Sequence, residues 1–349
     1  MLDILLKDIK FNCDVSDARF WGYFSICGLL MRYRDLYRSE QGLEPWSPIG
    51  REEIGAWIER KESCWSVLEG QGFRDLSIGG ERYDAFDIDR INPAIEGDGY
   101  VYGAGYGTYL KPTFFLARAK SVAEVAGHRV STTEQEVVRD LFTSPAMLQG
   151  RSIFLRLEPL KALLWDKFVE LKPGPPTATI DAFEAYGLKP CHSFDDSCND
   201  KLDRMVVDYA DVLLHHELAE SREAVSPWKD ILILAGDRKA EHYLRAVQDL
   251  VADTSDSGPF KLIVDRKDRG ALSLAIGLME GYRKLLFPEI REVYQGFTGG
   301  DVNWREVDAV RRKGFNLFHG IRQTVLALYN SGGPEAFSRG LQQIMQKVA

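Results

Sequence analysis

The sequence predicts an α+β protein. A mixed N-terminal domain with a Tyr/Gly-rich hairpin spans 1–172, and a mainly α-helical C-terminal domain spans 177–349. Three observations carry this. Residues 74–120 alternate apolar and polar side chains between turn residues, as strands do. From Asp200 onward, apolar residues recur at three and four, as on helices. Between these textures lies KPGPP at 172–176, where Pro and Gly stop a helix and stiffen a connection. A chain of 349 residues, 45% hydrophobic, also exceeds what one core usually organises.

Residues 15–38 read as the first helix, with Ser16 or Asp17 able to cap it by accepting from exposed backbone N–H groups. A second helix fits 51–69, ending before Gly70 and Gly72. Tyr100, Tyr102, Tyr106 and Tyr109 alternate with Val, Gly and Thr, which suits strands, and the glycines of 103–107 suit a hairpin turn. The stretch GAGYG lacks the helix and the Lys-Ser/Thr that a phosphate loop needs after its glycines, and the next residues, TYLKPTFFLA, read as a strand containing Pro112. Segments 132–148 and 153–171 read as helices, and TIDAFEAYGL as a short one. Further helices are expected near 200–223, 228–235, 238–252, 268–287, 303–330 and 334–347.

Composition excludes several function classes. The net charge of −8 gives no broad attraction to a phosphate backbone, and RRKGF at 311–315 is too short for a nucleic-acid patch, so no nucleic acid is expected as a partner. The five cysteines include no CxxC pair, which suits reduced thiols in a cytoplasm. No signal-peptide pattern opens the chain, and no stretch approaches the roughly 18 apolar residues of a membrane span. The expectation is a cytoplasmic protein without a membrane partner. It acts on a small molecule or peptide that the sequence does not name, and it has scope to form a homo-oligomer.

DVLLHHELAE at 211–220 holds the most informative residues. Wound at 100° per residue, the helix over 200–223 places Leu202, Met205, Val206, Tyr209 and Leu213 on one face. Arg204, Asp208, Asp211, His215 and Arg222 lie opposite. His216 and Glu220 fall within the apolar stripe and Glu217 on its edge. Buried carboxylates beside an imidazole require a cation, a proton or an arginine. His216 and Glu220 are four residues apart, so one turn stacks them on one side of the helix.

This arrangement resembles the zincin helix, His-Glu-x-x-His, with Glu220 in place of the second histidine. The resemblance implies His216 and Glu220 as metal ligands and Glu217 as general base on metal-bound water, with a third ligand to be found. His242 and Glu241 are the candidates for that ligand, although His242 lies opposite the apolar face of its own helix. The expected cofactor is a divalent metal, zinc or else iron or manganese, since oxygen ligands suit the latter pair. The same His/Glu spacing also occurs in di-iron and di-manganese carboxylate bundles, where Glu217 or Glu241 would bridge two ions.

The alternatives are non-enzymatic. His216 could bond a backbone carbonyl, Glu217 and Glu220 could meet Arg245 or Arg283 in a buried network, or the helix could roll its last turns into solvent. The protein would then be a binding or scaffold protein. Glu280 is explained by Lys284 four residues on. His128, His192 and His319 stand alone, and Asp195 and Asp196 suit loop capping better than metal ligation. The segments KFNCDVSDARFWGYFSICGLL and RDLYRSEQGLEPW resemble an uncharacterised bacterial family of unknown function, a resemblance that implies no activity.

Overall fold

A five-stranded sheet organises the N-terminal half, and helices make up the C-terminal half, so the α+β class holds. The computed structural model describes residues 2–172, 177–189, 194, 196–297 and 302–346. It divides into two compact units, Met1–Asp166 and Lys167–Ala349. Apart from Lys172, the linker expected at 172–176 lies outside the described residues, as do Cys191, His192 and Asp195.

In the first unit, α1 (Leu2–Phe20), α2 (Ile26–Gln41) and α3 (Arg51–Leu68) precede a small hairpin of β1 (Leu76–Ile78) and β2 (Glu81–Tyr83). Helix α4 (Ile88–Ile95) leads into β3 (Tyr100–Tyr106), β4 (Pro112–Val125), β5 (His128–Arg139), β6 (Ala146–Gln149) and β7 (Ser152–Arg156), and α5 (Leu157–Val169) comes next. The sheet order is β3-β4-β5-β7-β6, antiparallel except where β5 runs parallel to β7. Helix α1 lays Leu5, Ile9 and Cys13 into a core with Phe114, Phe115, Leu116 and Tyr102.

The Tyr/Gly hairpin is present, but its glycines are not its turn. Gly103 and Gly105 sit inside β3, and Gly103 pairs with Phe115 across the ladder. A Cβ at Gly103 would collide with the Phe115 ring, so the glycine lets that aromatic lie flat over the strand. The turn falls later, at Thr108–Leu110, where Tyr109 and Leu110 take φ of 61° and 53°. Pro112 opens β4, a position where its missing N–H is tolerated. Gly103→Ala is expected to destabilise the protein by about 1–3 kcal/mol through overpacking, read from urea denaturation. An unchanged midpoint would show that the ring has room to move.

Three helix expectations are corrected in this unit. The segment 15–38 is not one helix: α1 ends at Phe20, and α2 begins after Ser25, whose hydroxyl accepts from the Gly28 N–H at 3.1 Å. Ser16 and Asp17 are buried within α1 and serve the core instead. Segment 132–148 is largely β5 and β6, and 153–156 belongs to β7, with helix only from Leu157. Thr132, Thr133, Val137 and Val138 have the β-branched stems that a pleated surface favours.

The second unit holds α6 (Ala178–Ala185), α7 (Asp196–Glu223), α8 (Trp228–Leu234), α9 (Arg238–Thr254) and α10 (Pro259–Arg266). It continues with α11 (Arg269–Gly277), α12 (Gly281–Leu286), α13 (Pro288–Gln295), α14 (Trp304–Ser331) and α15 (Pro334–Gln346). The expected helix 268–287 is split between α11 and α12, with Glu280 and Gly281 at the break. Helix α9 is the axis of this unit. Asp237 caps it by accepting from the Ala240 N–H at 2.9 Å, and Tyr243, Leu244, Val247, Leu250 and Val251 are fully buried. Helices α7, α12 and α14 all pack on it. No helix among the described residues is long and apolar enough to cross a membrane.

Candidate metal centre

Helices α7, α9 and α12 bring one charged cluster together. On α7, His216, Glu217 and Glu220 each offer a ligand atom, and these atoms all lie within 4.8 Å of one another. Glu217 is buried, while His216 and Glu220 are half-buried. The helix therefore turns Glu217 further inward than its position on the edge of the apolar stripe suggests. The buried set runs through Leu202, Met205, Val206, Tyr209 and Val212 to Leu218 and Ala219, rotating slowly around α7.

Helix α9 supplies what local periodicity on α7 could not. The His216 Nδ1 donates to Asp253 Oδ1 at 2.7 Å, and Arg283 Nη2 from α12 donates to Asp253 Oδ2 at 2.6 Å. Asp253 is 2% exposed, so both of its oxygens are satisfied inside the fold. Burial alone would lower the His216 pKa, but the Asp253 carboxylate outweighs it and pushes the imidazole up to about 10. Burial likewise raises Asp253, yet Arg283 and His216 together hold it below the usual carboxylate value. Glu220 is raised, first by burial and then by Asp249 and Asp253, against the pull of His216 and Arg245. Asp249 is raised mainly by burial as well.

Glu217 and Glu220 bring carboxylate oxygens within 4.8 Å of each other, a spacing at which like charges disfavour joint ionisation. Burial and the neighbouring aspartates favour the protonated form of Glu220, whereas a divalent ion would favour both carboxylates ionised. His216 is oriented for that role, because a ligating imidazole commonly gives its other N–H to a carboxylate, which fixes its tautomer and raises its basicity. With Nδ1 held by Asp253, Nε2 is the nitrogen left for a ligand.

The other sequence candidates fall outside the three-donor group. The Glu241 carboxylate is held by Arg245 Nε at 2.8 Å on its own helix, and His242 is exposed. His215 folds back onto the Asp211 carbonyl of the preceding turn at 2.8 Å. Glu280 pairs with Lys167 rather than Lys284. His128 and His319 make local contacts, with the Ala126 carbonyl and with Gln323. Asp249 and Asp253 are the members of the cluster that sequence reasoning misses. Glu241, Arg245, Asp249 and Asp253 recur at intervals of four along α9, a ladder that marks one helix face, but nothing local says that α7 covers it.

The fold and the cluster together define an α+β protein whose helical unit gathers a histidine and several carboxylates in its interior. The chain matches the model of the N-terminal domain of a family of unknown function (DUF6866) over residues 4–156. It matches the C-terminal domain of the same family over 161–347. The chain belongs to this family. Comparison with curated proteins and with solved structures found no match to either.

Proposed function

We propose that the helical unit binds one divalent metal ion through His216 and Glu220, and that the protein is a metal-dependent hydrolase. The observation that carries this is the convergence of three donor atoms within 4.8 Å on one helix, with the histidine already oriented by Asp253. One imidazole nitrogen and one carboxylate oxygen, four residues apart on α7, suit zinc, and also iron or manganese. A bound ion of this kind makes a hydroxide-like nucleophile available near neutral pH. Glu217, beside the two ligands and more buried than either, would accept the proton from that water as the water oxygen bonds to an acyl or related carbon of a small molecule or peptide. It would then pass the proton to the alcohol or amine that leaves as the acyl bond breaks. A single three-donor group among the described residues favours one ion over the two of a di-iron or di-manganese bundle.

A second reading rests on the chain His216–Asp253–Arg283. His216 and Arg283 both bond Asp253, and the cluster would then be a structural ion network in a binding or scaffold protein.

Elemental analysis of full-length protein, purified without a histidine tag or chelator, separates the two. About one metal ion per chain is expected, lost in a His216→Ala/Glu220→Ala variant that keeps its circular dichroism. Glu217→Gln should retain the ion and lose roughly 100-fold or more in turnover on an activated ester. Protein that is metal-free as purified and takes up no zinc, iron or manganese on reconstitution would leave the structural network as the correct reading.

A further inference from the structure

Helices α6, α11 and α13 border a partly open cavity of about 210 Å³, lined by Asp181, Arg269, Ile276, Arg291, Tyr294 and Phe297 among others. We infer that this cavity binds a small organic monocarboxylate with an apolar body. It is independent of the metal centre and uses none of its residues.

The charges in the lining do not cancel. Asp181 is already engaged: Oδ2 accepts from the Tyr294 hydroxyl at 2.5 Å and faces Arg269 Nη2 at 3.6 Å. The Tyr294 hydroxyl also meets Ser273 Oγ at 2.8 Å, so Tyr294 and one Asp181 oxygen are engaged with each other and with their neighbours. Arg291 is different. It is half-buried, and among the described residues no carboxylate and no other side chain pairs with it. Desolvating a guanidinium without an anion is unfavourable, and its planar fork matches a carboxylate through two parallel N–H···O bonds. Arg291 and Tyr294 stand one turn apart on α13, so both face the same side. The lining thus carries one net positive charge in a chain whose net charge is −8.

Size and the remaining walls narrow the ligand. The cavity is smaller than the roughly 300–1,000 Å³ of drug-sized sites, so it suits a metabolite-sized molecule. Ile276 and Phe297 offer an apolar wall beside the arginine. The Asp181 carboxylate, close to the same space, opposes a dianion such as phosphate more than a monoanion.

Isothermal titration of the full-length protein with benzoate tests this, with benzamide and inorganic phosphate as comparison ligands. Benzoate should bind, benzamide should not, and phosphate should bind more weakly than benzoate. Arg291→Gln should weaken benzoate roughly tenfold or more, and Arg291→Lys, which keeps the charge without the fork, should weaken it less. Both variants keep a half-buried polar side chain, and their thermal melts should match the parent. No heat with benzoate, equal binding of benzamide, phosphate binding as tightly as benzoate, or an Arg291→Gln variant that binds like the parent would each overturn the inference.

Discussion

Replacing Asp253 with alanine is expected to cost about 3–5 kcal/mol of stability, because it leaves the His216 imidazolium and the Arg283 guanidinium facing each other without their shared anion. The Arg283 Nε is already without a hydrogen-bond partner, so the arginine has no spare bond to fall back on. The charge coupling has a sign that can be read directly. In metal-free protein His216 titrates at about 10, above its unfolded value of 6.5. Its stabilising contribution is therefore fully present below pH 6.5 and is lost as pH rises through 10. Asp253 has the opposite sense. Its folded value is depressed, so its contribution is present above the ordinary aspartate value of 3.8 and fades as pH falls through the lowered value. Urea denaturation across pH 6–10 and NMR titration of the His216 ring should show the loss on the alkaline side. In Asp253→Ala the ring should titrate well below the parent value, and in Asp253→Asn by an intermediate amount. A variant that loses less than about 1 kcal/mol would show that the pair contributes little to the fold.

The second large effect is expected in the other unit, at Lys111. This lysine is 2% exposed, and its ammonium meets Asp17 Oδ1 at 3.0 Å, Asp140 Oδ2 at 3.4 Å and Ser16 Oγ at 2.8 Å. The aspartates in turn bind the chain together. Asp140 accepts from the Phe114 and Phe142 N–H groups, and Asp17 from that of Leu141. Lys111 therefore neutralises the joint between α1, the start of β4 and the end of β5. Lys111→Met should cost about 3–5 kcal/mol at pH 8 by leaving two buried carboxylates uncompensated. Burial, opposed by Lys111 and reinforced by Asp140, raises Asp17 to about 7 even in the parent. A raised carboxylate favours the fold most below its unfolded value and loses that contribution as pH rises through 7. The deficit of Lys111→Met should accordingly shrink as pH is lowered from 8 towards 5, measured by urea denaturation. A deficit that is constant with pH would mean that the lost methylene packing, not the charge, is responsible.

Neither cluster is legible as a cluster in the sequence. His216, Glu217 and Glu220 are legible on α7, because polar residues on an apolar helical stripe stand out against a 3.6-residue period. Their partners are not. Asp253 lies 37 residues away on α9 and Arg283 a further 30 on, and nothing in the local pattern of either helix says which neighbour covers it. Lys111, Asp17 and Asp140 are equally silent, since Asp17 has the chemistry of a helix cap and is instead buried inside α1.

By itself the sequence determined the α+β class, a Tyr/Gly hairpin, the polar seam on α7 and most of the helices from Ala178 onward, but not α10 and α13, whose opening prolines read as breaks. Each of these arises from interactions within a few residues: capping, turn chemistry and the spacing of apolar side chains. Only the tertiary structure decided that 132–139 is a strand, because its hydrogen bonds go to β4 and β7 rather than to its own next turn. It also decided that α1 runs from Leu2, where the sheet and β1 supply the apolar cover its weak amphipathicity does not announce. The same holds for the charged clusters. A helix period shows which way a side chain points, but a buried charge is settled by the group that meets it from another element, and that pairing is a property of the packed fold.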